Sequence, residues 1–262
     1  MMGILNRTPD SFYEGSRLIS EDEIIERAGR MLEDGAGILD IGGYSTRPGA
    51  SEVAEETELE RIIPAIKGVK KNYPRAIISV DTFRPQVAKL AVKAGARIIN
   101  DISGGDEEGM FETVASLGVP YILMHRKGNP SEMQKDPHYE NVLNEVMEYF
   151  IKRLEVLKEL NVQDVIIDPG FGFGKNLEHN FSLLDSLQDF NLFRLPILAG
   201  FSRKKMIQQV TGTNERGALN GTTVLNTIAL MKGAKILRVH DVKEAVECIK
   251  LATKLHGTLP VL

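Results

Sequence analysis

The sequence predicts a (β/α)8 barrel, and three observations carry that reading. The chain has 262 residues, close to the roughly 250 typical of one such barrel. Eight short apolar or β-branched runs alternate with stretches of helical periodicity. The runs are continuously apolar, as strands buried on both faces of a parallel sheet require. No low-complexity or Pro/Ser-rich stretch divides the chain, so a single domain over residues 1–262 is expected.

The runs fall at 3–5, 38–41, 76–80 and 97–99, then at 121–124, 165–167, 196–199 and 236–239. The first helix is announced by Ser20 with Glu23 in capping-box spacing. It continues through Ile24, Ile25, Ala28, Met31 and Leu32 on one face and stops at Gly35. Further helical units read at 55–69, 85–94, 108–117, 141–160, 181–187, 222–231 and 242–255. Eight strands, each followed by a helix, favour closure. The rival open, doubly wound sheet usually has about five or six strands and opens on a G-x-G-x-x-G helix, which is absent after the first run.

Composition bounds the function. Hydrophobic residues make up 42% and charged residues 26% of the chain, as in ordinary soluble globular proteins. A net charge of −4 with no Lys/Arg block argues against a nucleic-acid partner, and no segment approaches the roughly 20 apolar residues of a membrane span. The N-terminal residues lack the basic and long apolar regions of a signal peptide, so a cytoplasmic location is expected by default. The single cysteine, Cys248, reads as a small buried apolar residue rather than part of a disulfide framework.

In a barrel, chemistry collects at the C-terminal ends of the strands. Here those ends carry Asn6, Asp40, Asp81, Asn100 with Asp101, His125, Asp168, Ser202-Arg203-Lys204-Lys205, and Arg238 with His240 and Asp241. Singly, each is also a common cap or turn residue. Together they are expected to ring one mouth. Asp81, Asn100 and Asp168 offer acceptors suited to the ring N–H and amino groups of a heteroaromatic such as a pterin, and Lys204 can donate to its ring nitrogen or carbonyl. Arg238 and His240, reinforced by the basic triplet 203–205, suit a diphosphate.

The run Asp168-Pro169-Gly170-Phe171-Gly172-Phe173-Gly174-Lys175 alternates glycine with phenylalanine after a strand. It permits close backbone approach and a stacking ring, with at least one of the two phenylalanines expected in the core. Two long loops, 6–17 and 42–54, contain Thr8-Pro9-Asp10-Ser11-Phe12 and Ser45-Thr46-Arg47-Pro48-Gly49 and read as mobile lids. No zinc-ligand spacing accompanies His125, and His138 and His179 read as surface or helix-cap residues. Walker and G-x-S-x-G signatures are absent.

Taken in order, Gly3-Ile4-Leu5-Asn6, Thr8 to Phe12, Asp40-Ile41-Gly42-Gly43, Ser45 to Gly49, Ser79-Val80-Asp81-Thr82, Asn100-Asp101-Ile102, Asp168-Pro169-Gly170, Ser202-Arg203-Lys204 and Arg238-Val239-His240-Asp241 span almost the whole chain. This series resembles the dihydropteroate synthase family. The resemblance implies condensation of a 7,8-dihydropterin-6-ylmethyl diphosphate with p-aminobenzoate in folate biosynthesis, by a dissociative path without a protein nucleophile. It implies that Asp81, Asn100, Asp168 and Lys204 hold the pterin, with Phe173 near its ring. It further implies that Asn6 meets a Mg2+ ion on the diphosphate, which Arg238 and His240 bind. Phe12, Thr46, Arg47 and Pro48 would help enclose p-aminobenzoate, with Asp10 and Ser11 completing the first lid. Asp81, Asp168, Lys204, Arg238 and His240 would be the catalytic set. The family also implies a homodimer through barrel helices and a sulfonamide target.

Three positions depart from the family pattern. Arg7 replaces a small apolar residue and is expected to add charge beside the metal and diphosphate. Glu14 replaces an aspartate in the first loop and conserves its charge, while Lys205 replaces a serine after Ser-Arg-Lys and is expected to alter the pocket for the benzoate carboxylate. The chain also begins just before the first strand, so a barrel bottom less covered than in many relatives is expected. Two alternatives stand beside the synthase. A folate-dependent methyltransferase would not need the 45–49 loop, Ser202 to Lys204, or Arg238 with His240. A pterin-binding paralogue without synthase turnover is suggested by Arg7 and Lys205.

Overall fold

The computed structural model describes residues 1–7, 20–44, 53–128, 133 and 136–256. Its strands are β1 (Met2–Asn6), β2 (Ile38–Gly42), β3 (Ile77–Asp81), β4 (Ile98–Asp101), β5 (Tyr121–Met124), β6 (Val165–Asp168), β7 (Leu198–Ala199) and β8 (Ile236–Val239). All pair in parallel in the order β6-β5-β4-β3-β2-β1-β8-β7. A parallel bridge between Ile167 and Ile197 joins the two ends and closes the ring. The barrel expectation holds, and the open sheet is excluded.

The helices are α1 (Glu21–Glu33), α2 (Glu55–Asn72), α3 (Pro85–Ala94), α4 (Met110–Leu117), α5 (Val142–Glu159), α6 (Leu177–Asp185), α7 (Lys205–Thr211), α8 (Leu219–Met231) and α9 (Val242–His256). The capping box of α1 is formed: Glu23 N donates to Ser20 Oγ at 3.2 Å, and Ser20 N donates to the Glu23 carboxylate at 2.8 Å. Helix α6 starts earlier than its apolar pattern suggested. Asn176 caps it by a reciprocal bond with His179, so the reading of His179 as a cap residue holds. Helix α7 was not anticipated: its seven residues directly follow the Ser-Arg-Lys run and end at Gly212 in the left-handed region.

Strand side chains alternate between faces, and this parity decides what reaches the barrel axis. Met2, Ile38, Ile98, Ile122, Ile166, Leu198 and Ile236 form a separate apolar plug inside the barrel. Leu39, Ile41, Ile78, Val80, Ile99, Tyr121, Leu123, Ile167 and Leu237 occupy the opposite parity and pack with the helices in the main core. Two residues beyond the plug, about 6.6 Å along each strand, the inward rows carry Ile4, Asp40, Asn100, Met124, Asp168, Gly200 and Arg238. Asp81 stands in register beside Asn100.

Candidate active site at the barrel mouth

The inward rows bring Asp81, Asn100, Asp168 and Arg238 into one pocket with Ile4, Met124 and Gly200. Phe173, Ser202, Lys204 and His240 join them from the segments after the strands. A second depression at the other end of the barrel, between Leu32, Tyr73 and Ile77, gathers no comparable set of ionisable groups.

Arg238 binds two strands across the mouth. Its Nε donates to Asp40 Oδ2 at 2.6 Å and its Nη2 to Asp81 Oδ2 at 2.6 Å. Asn100 Nδ2 donates to the same Asp40 oxygen at 2.9 Å, which orients the amide and leaves its carbonyl and second N–H to meet a ligand. Burial pushes Asp81 up to about 7; Arg238 opposes that rise and Asp40 adds to it. Burial works against the Arg238 charge, but Asp40 and Asp81 outweigh it and hold the guanidinium above its ordinary range. Asp40 is fully buried and central to this clamp. In the sequence it stands among the strand ends and the family blocks without an assigned role; its parity with Ile38 was the available signal.

The opposite wall is built by the turn after β6. Gly170 N donates to Asp168 Oδ1 at 2.8 Å. Lys204 Nζ lies 4.8 Å from the Phe173 ring centroid and donates to the Phe171 carbonyl. Burial lowers Lys204 to about 8, partly countered by Asp168. Burial also raises Asp168, against the charges of Lys204, Arg238 and Lys175. Phe171 is fully buried and stacks on Phe201 with centroids 4.3 Å apart, so one phenylalanine of the run is core and the other lines the pocket.

The basic triplet does not act as one patch. Arg203, at φ 56°, turns its guanidinium to Asp241 in a bidentate pair of 2.9 and 2.7 Å and to the carbonyls of Glu215 and Arg216. Lys205 is exposed at the start of α7, and only Lys204 of the three lines the pocket. Ser202 Oγ accepts from His240 N at 3.2 Å and lies 2.9 Å from His240 Nδ1, which orients the ring. If the hydroxyl donates to Nδ1, the imidazole keeps its proton on Nε2, a donor suited to an anion.

Asp101 and His125 do not join the mouth, because they stand at the outward parity. Asp101 accepts from Ser103, Gly105 and Tyr121, and His125 pairs with Lys175. The expectation that every polar strand end converges on one site is corrected to that extent. Asn6 Oδ1 is buried without a hydrogen-bond partner, 2.8 Å from where a Cβ on Gly42 would stand. No group of three or more His, Cys, Asp or Glu able to hold a metal occurs among the described residues. Asp10, Ser11, Phe12, Glu14, Thr46, Arg47 and Pro48 lie outside the described residues.

A profile of the family described as pterin binding enzyme matches residues 2–240. Over 253 residues the chain is 46% identical to the dihydropteroate synthase of Escherichia coli (strain K12), covering 96% of this chain and 89% of that protein. The chain belongs to the dihydropteroate synthases. Members of known structure share its shape as well as its sequence. Yersinia pestis dihydropteroate synthase with a sulfonamide drug complex superposes with a TM-score of 0.93 at 40% identity, covering 98% of this chain and 93% of that one. The Xanthomonas albilineans dihydropteroate synthase with 4-aminobenzoic acid gives a TM-score of 0.91 at 38% identity, with 98% and 93% covered. As a dihydropteroate synthase the chain is an enzyme, a transferase of folate biosynthesis.

Within the dihydropteroate synthases the departure at Arg7 now has a place. Its Nη1 donates to the Arg61 carbonyl at 3.0 Å, while Arg61 Nη1 donates to the Gly43 carbonyl at 2.8 Å. The Arg7 guanidinium is therefore drawn onto the backbone of α2. The far end of the second loop is tied by Arg84, which donates to the Val53 carbonyl at 2.6 Å and pairs with buried Glu58.

Proposed function

We propose that the chain joins a 7,8-dihydropterin-6-ylmethyl diphosphate to p-aminobenzoate, releasing 7,8-dihydropteroate and diphosphate, within one barrel domain. One observation carries the reading: acceptors Asp81, Asn100 and Asp168 share a single pocket with the donor Lys204 and the Phe173 ring. A pterin presents matching ring N–H and amino donors beside a carbonyl and a flat face. The reaction needs no protein nucleophile, and the Ser202 hydroxyl serves to orient His240, so catalysis rests on positioning and on charge. Asp81 and Asp168 bind and orient the ring, and their negative field favours the cation left when the methylene–oxygen bond breaks. His240 and the remaining nitrogen of Arg238 face the departing anion. The arylamine nitrogen then attacks the methylene and loses its proton to solvent.

Mg2+ fits this site as an ion carried with the substrate. The orphaned oxygen of Asn6 is a hard donor, and magnesium commonly takes few protein ligands beside phosphate oxygens and water. When bound, the ion neutralises charge on the leaving diphosphate. Asp10, Ser11, Phe12, Thr46, Arg47, Pro48 and Lys205 are assigned to the p-aminobenzoate side. Exposed apolar side chains on α8 and α9, among them Val224, Met231, Leu251 and Leu255, support a homodimer through these helices. Among the described residues no helix is long and apolar enough to cross a membrane; a cytoplasmic location belongs to the proposal. Incubation with the pterin diphosphate, magnesium and p-aminobenzoate tests the proposal: dihydropteroate and free diphosphate should appear together. If neither forms, the synthase reading fails.

A further inference from the structure

The glycine–phenylalanine run after β6 ends on a lysine that the proposed reaction leaves without a task. Lys175 is 2% exposed, and burial pushes its ammonium well below the ordinary lysine range while Asp168 opposes that fall; the charged form is held only where its N–H groups find acceptors. Three are in place. Nζ donates to the carbonyls of Gly170 and Phe173, both at 3.0 Å, and lies 2.8 Å from His125 Nδ1. Burial, reinforced by Lys175, pushes His125 down to about 2, so the ring stays neutral and Nδ1 is available as an acceptor.

The two carbonyls belong to the residues that present the pterin wall. Gly170 accepts from Lys175 through its oxygen and donates through its nitrogen to Asp168 Oδ1 at 2.8 Å. Phe173 accepts from Lys175 through its oxygen, donates through its nitrogen to the Gly170 carbonyl at 3.1 Å, and places its ring under Lys204. Gly170 sits at φ 69°, and a Cβ there would meet the His125 carbonyl at 1.9 Å, so the turn is pressed against the strand that carries Lys175's partner. A methionine would fill the same volume but satisfy none of these acceptors.

We propose that Lys175, seated on His125, is a positioning residue for the pterin half of the reaction, holding the 170–173 turn so that Asp168 and the Phe173 ring face the substrate. This rests on the reading of the pocket as a pterin site. The charged groups that face Asp168 are Lys204 at the start of α7, Arg238 on β8 and Lys175 behind the turn. Loss of the last allows Asp168 to take a proton at higher pH.

The test is Lys175→Met in the full chain, compared with wild type by calorimetry with the pterin diphosphate and magnesium across pH, and by steady-state kinetics. The variant is expected to bind the pterin about tenfold to hundredfold more weakly, from carbonyls left unsatisfied. The KM for p-aminobenzoate should stay unchanged, and the acidic limit of pterin binding should move to higher pH. A folded variant with wild-type pterin affinity and pH profile, even one of lower Tm, would overturn the proposal and leave the pterin reading standing. Wild-type protein that binds no pterin would overturn both. Should the variant not fold, the Lys175 ammonium resonance of the wild type decides by NMR: it should shift with pterin diphosphate and not with p-aminobenzoate alone. An unmoved signal on pterin binding would refute the assignment.

Discussion

Replacing Arg238 by alanine removes the cation that lies between Asp40 and Asp81. Both carboxylates accept from it at 2.6 Å, and Asp40 is wholly buried. Removing one partner of a buried ion pair typically costs about 3–5 kcal/mol, a large share of the roughly 5–15 kcal/mol that holds a domain folded. The cost should depend on pH. Burial already raises Asp81 above its unfolded value, and loss of the guanidinium that opposes this raises it further, so the folded state binds more protons than the unfolded one. Its stability is then greatest below the unfolded carboxylate range and falls as pH rises through the folded pKa. The slope is about 1.4 kcal/mol per pH unit for the Asp81 carboxyl. Urea unfolding of wild type and Arg238→Ala at pH 5.5, 6.5 and 7.5 measures this. The penalty should be largest at pH 7.5 and shrink toward pH 5.5. A penalty under about 1 kcal/mol that does not vary with pH would show that water, not the ion pair, governs these carboxylates.

Three further outcomes follow from the same pocket. Asp168→Asn removes a charged acceptor and should weaken pterin binding by about tenfold to hundredfold; unchanged affinity by calorimetry would remove Asp168 from the site. Because burial lowers Lys204 to about 8, its ammonium is present below that pH and lost above it, so pterin affinity should fall as pH passes about 8, and Lys204→Arg should abolish that limb. Affinity flat to pH 10 in the wild type would contradict this. Gly42→Ala places a methyl 2.8 Å from Asn6 Oδ1. It should cut turnover on the order of tenfold or more and raise the magnesium needed for half activity, read by titration of the metal.

Much of the fold was legible because its signals are local. Each of the eight apolar runs overlaps an observed strand, and the first helix begins at the residue its capping box marks. Helix α7 escaped because it follows directly on the Ser-Arg-Lys run and no side-chain cap marks its start. Site composition was legible as strand-end polarity, whereas site geometry required parity. Asp101 and Asp40 look alike as strand-end acids, yet one meets Tyr121 outside the barrel and the other Arg238 inside it. Arg203 and Lys204 are neighbours in sequence, but the left-handed backbone at Arg203 sends them to different partners. Lys175 gave no sign of burial, since a lysine after glycine ordinarily reads as a solvated loop end. What places these groups is pairing across distant strands, which no short window contains.

The apolar plug below the mouth has a consequence for ligand range. The side chains that close the barrel axis stand only two residues beneath those that line the pocket, on the same strands, so the roof of one layer is the floor of the other. Ile98 lies under Asn100, Ile166 under Asp168 and Ile236 under Arg238. Trimming a methyl from one of these isoleucines leaves every polar group in place and lowers the floor. Such a change is mild in stability, about 0.5–1.5 kcal/mol for isoleucine to valine, and it would alter how deep a heterocycle can sit. Depth of the binding pocket is thus inherited through residues that contact no substrate, and an engineer wishing to admit a bulkier ring should begin beneath the acids rather than among them.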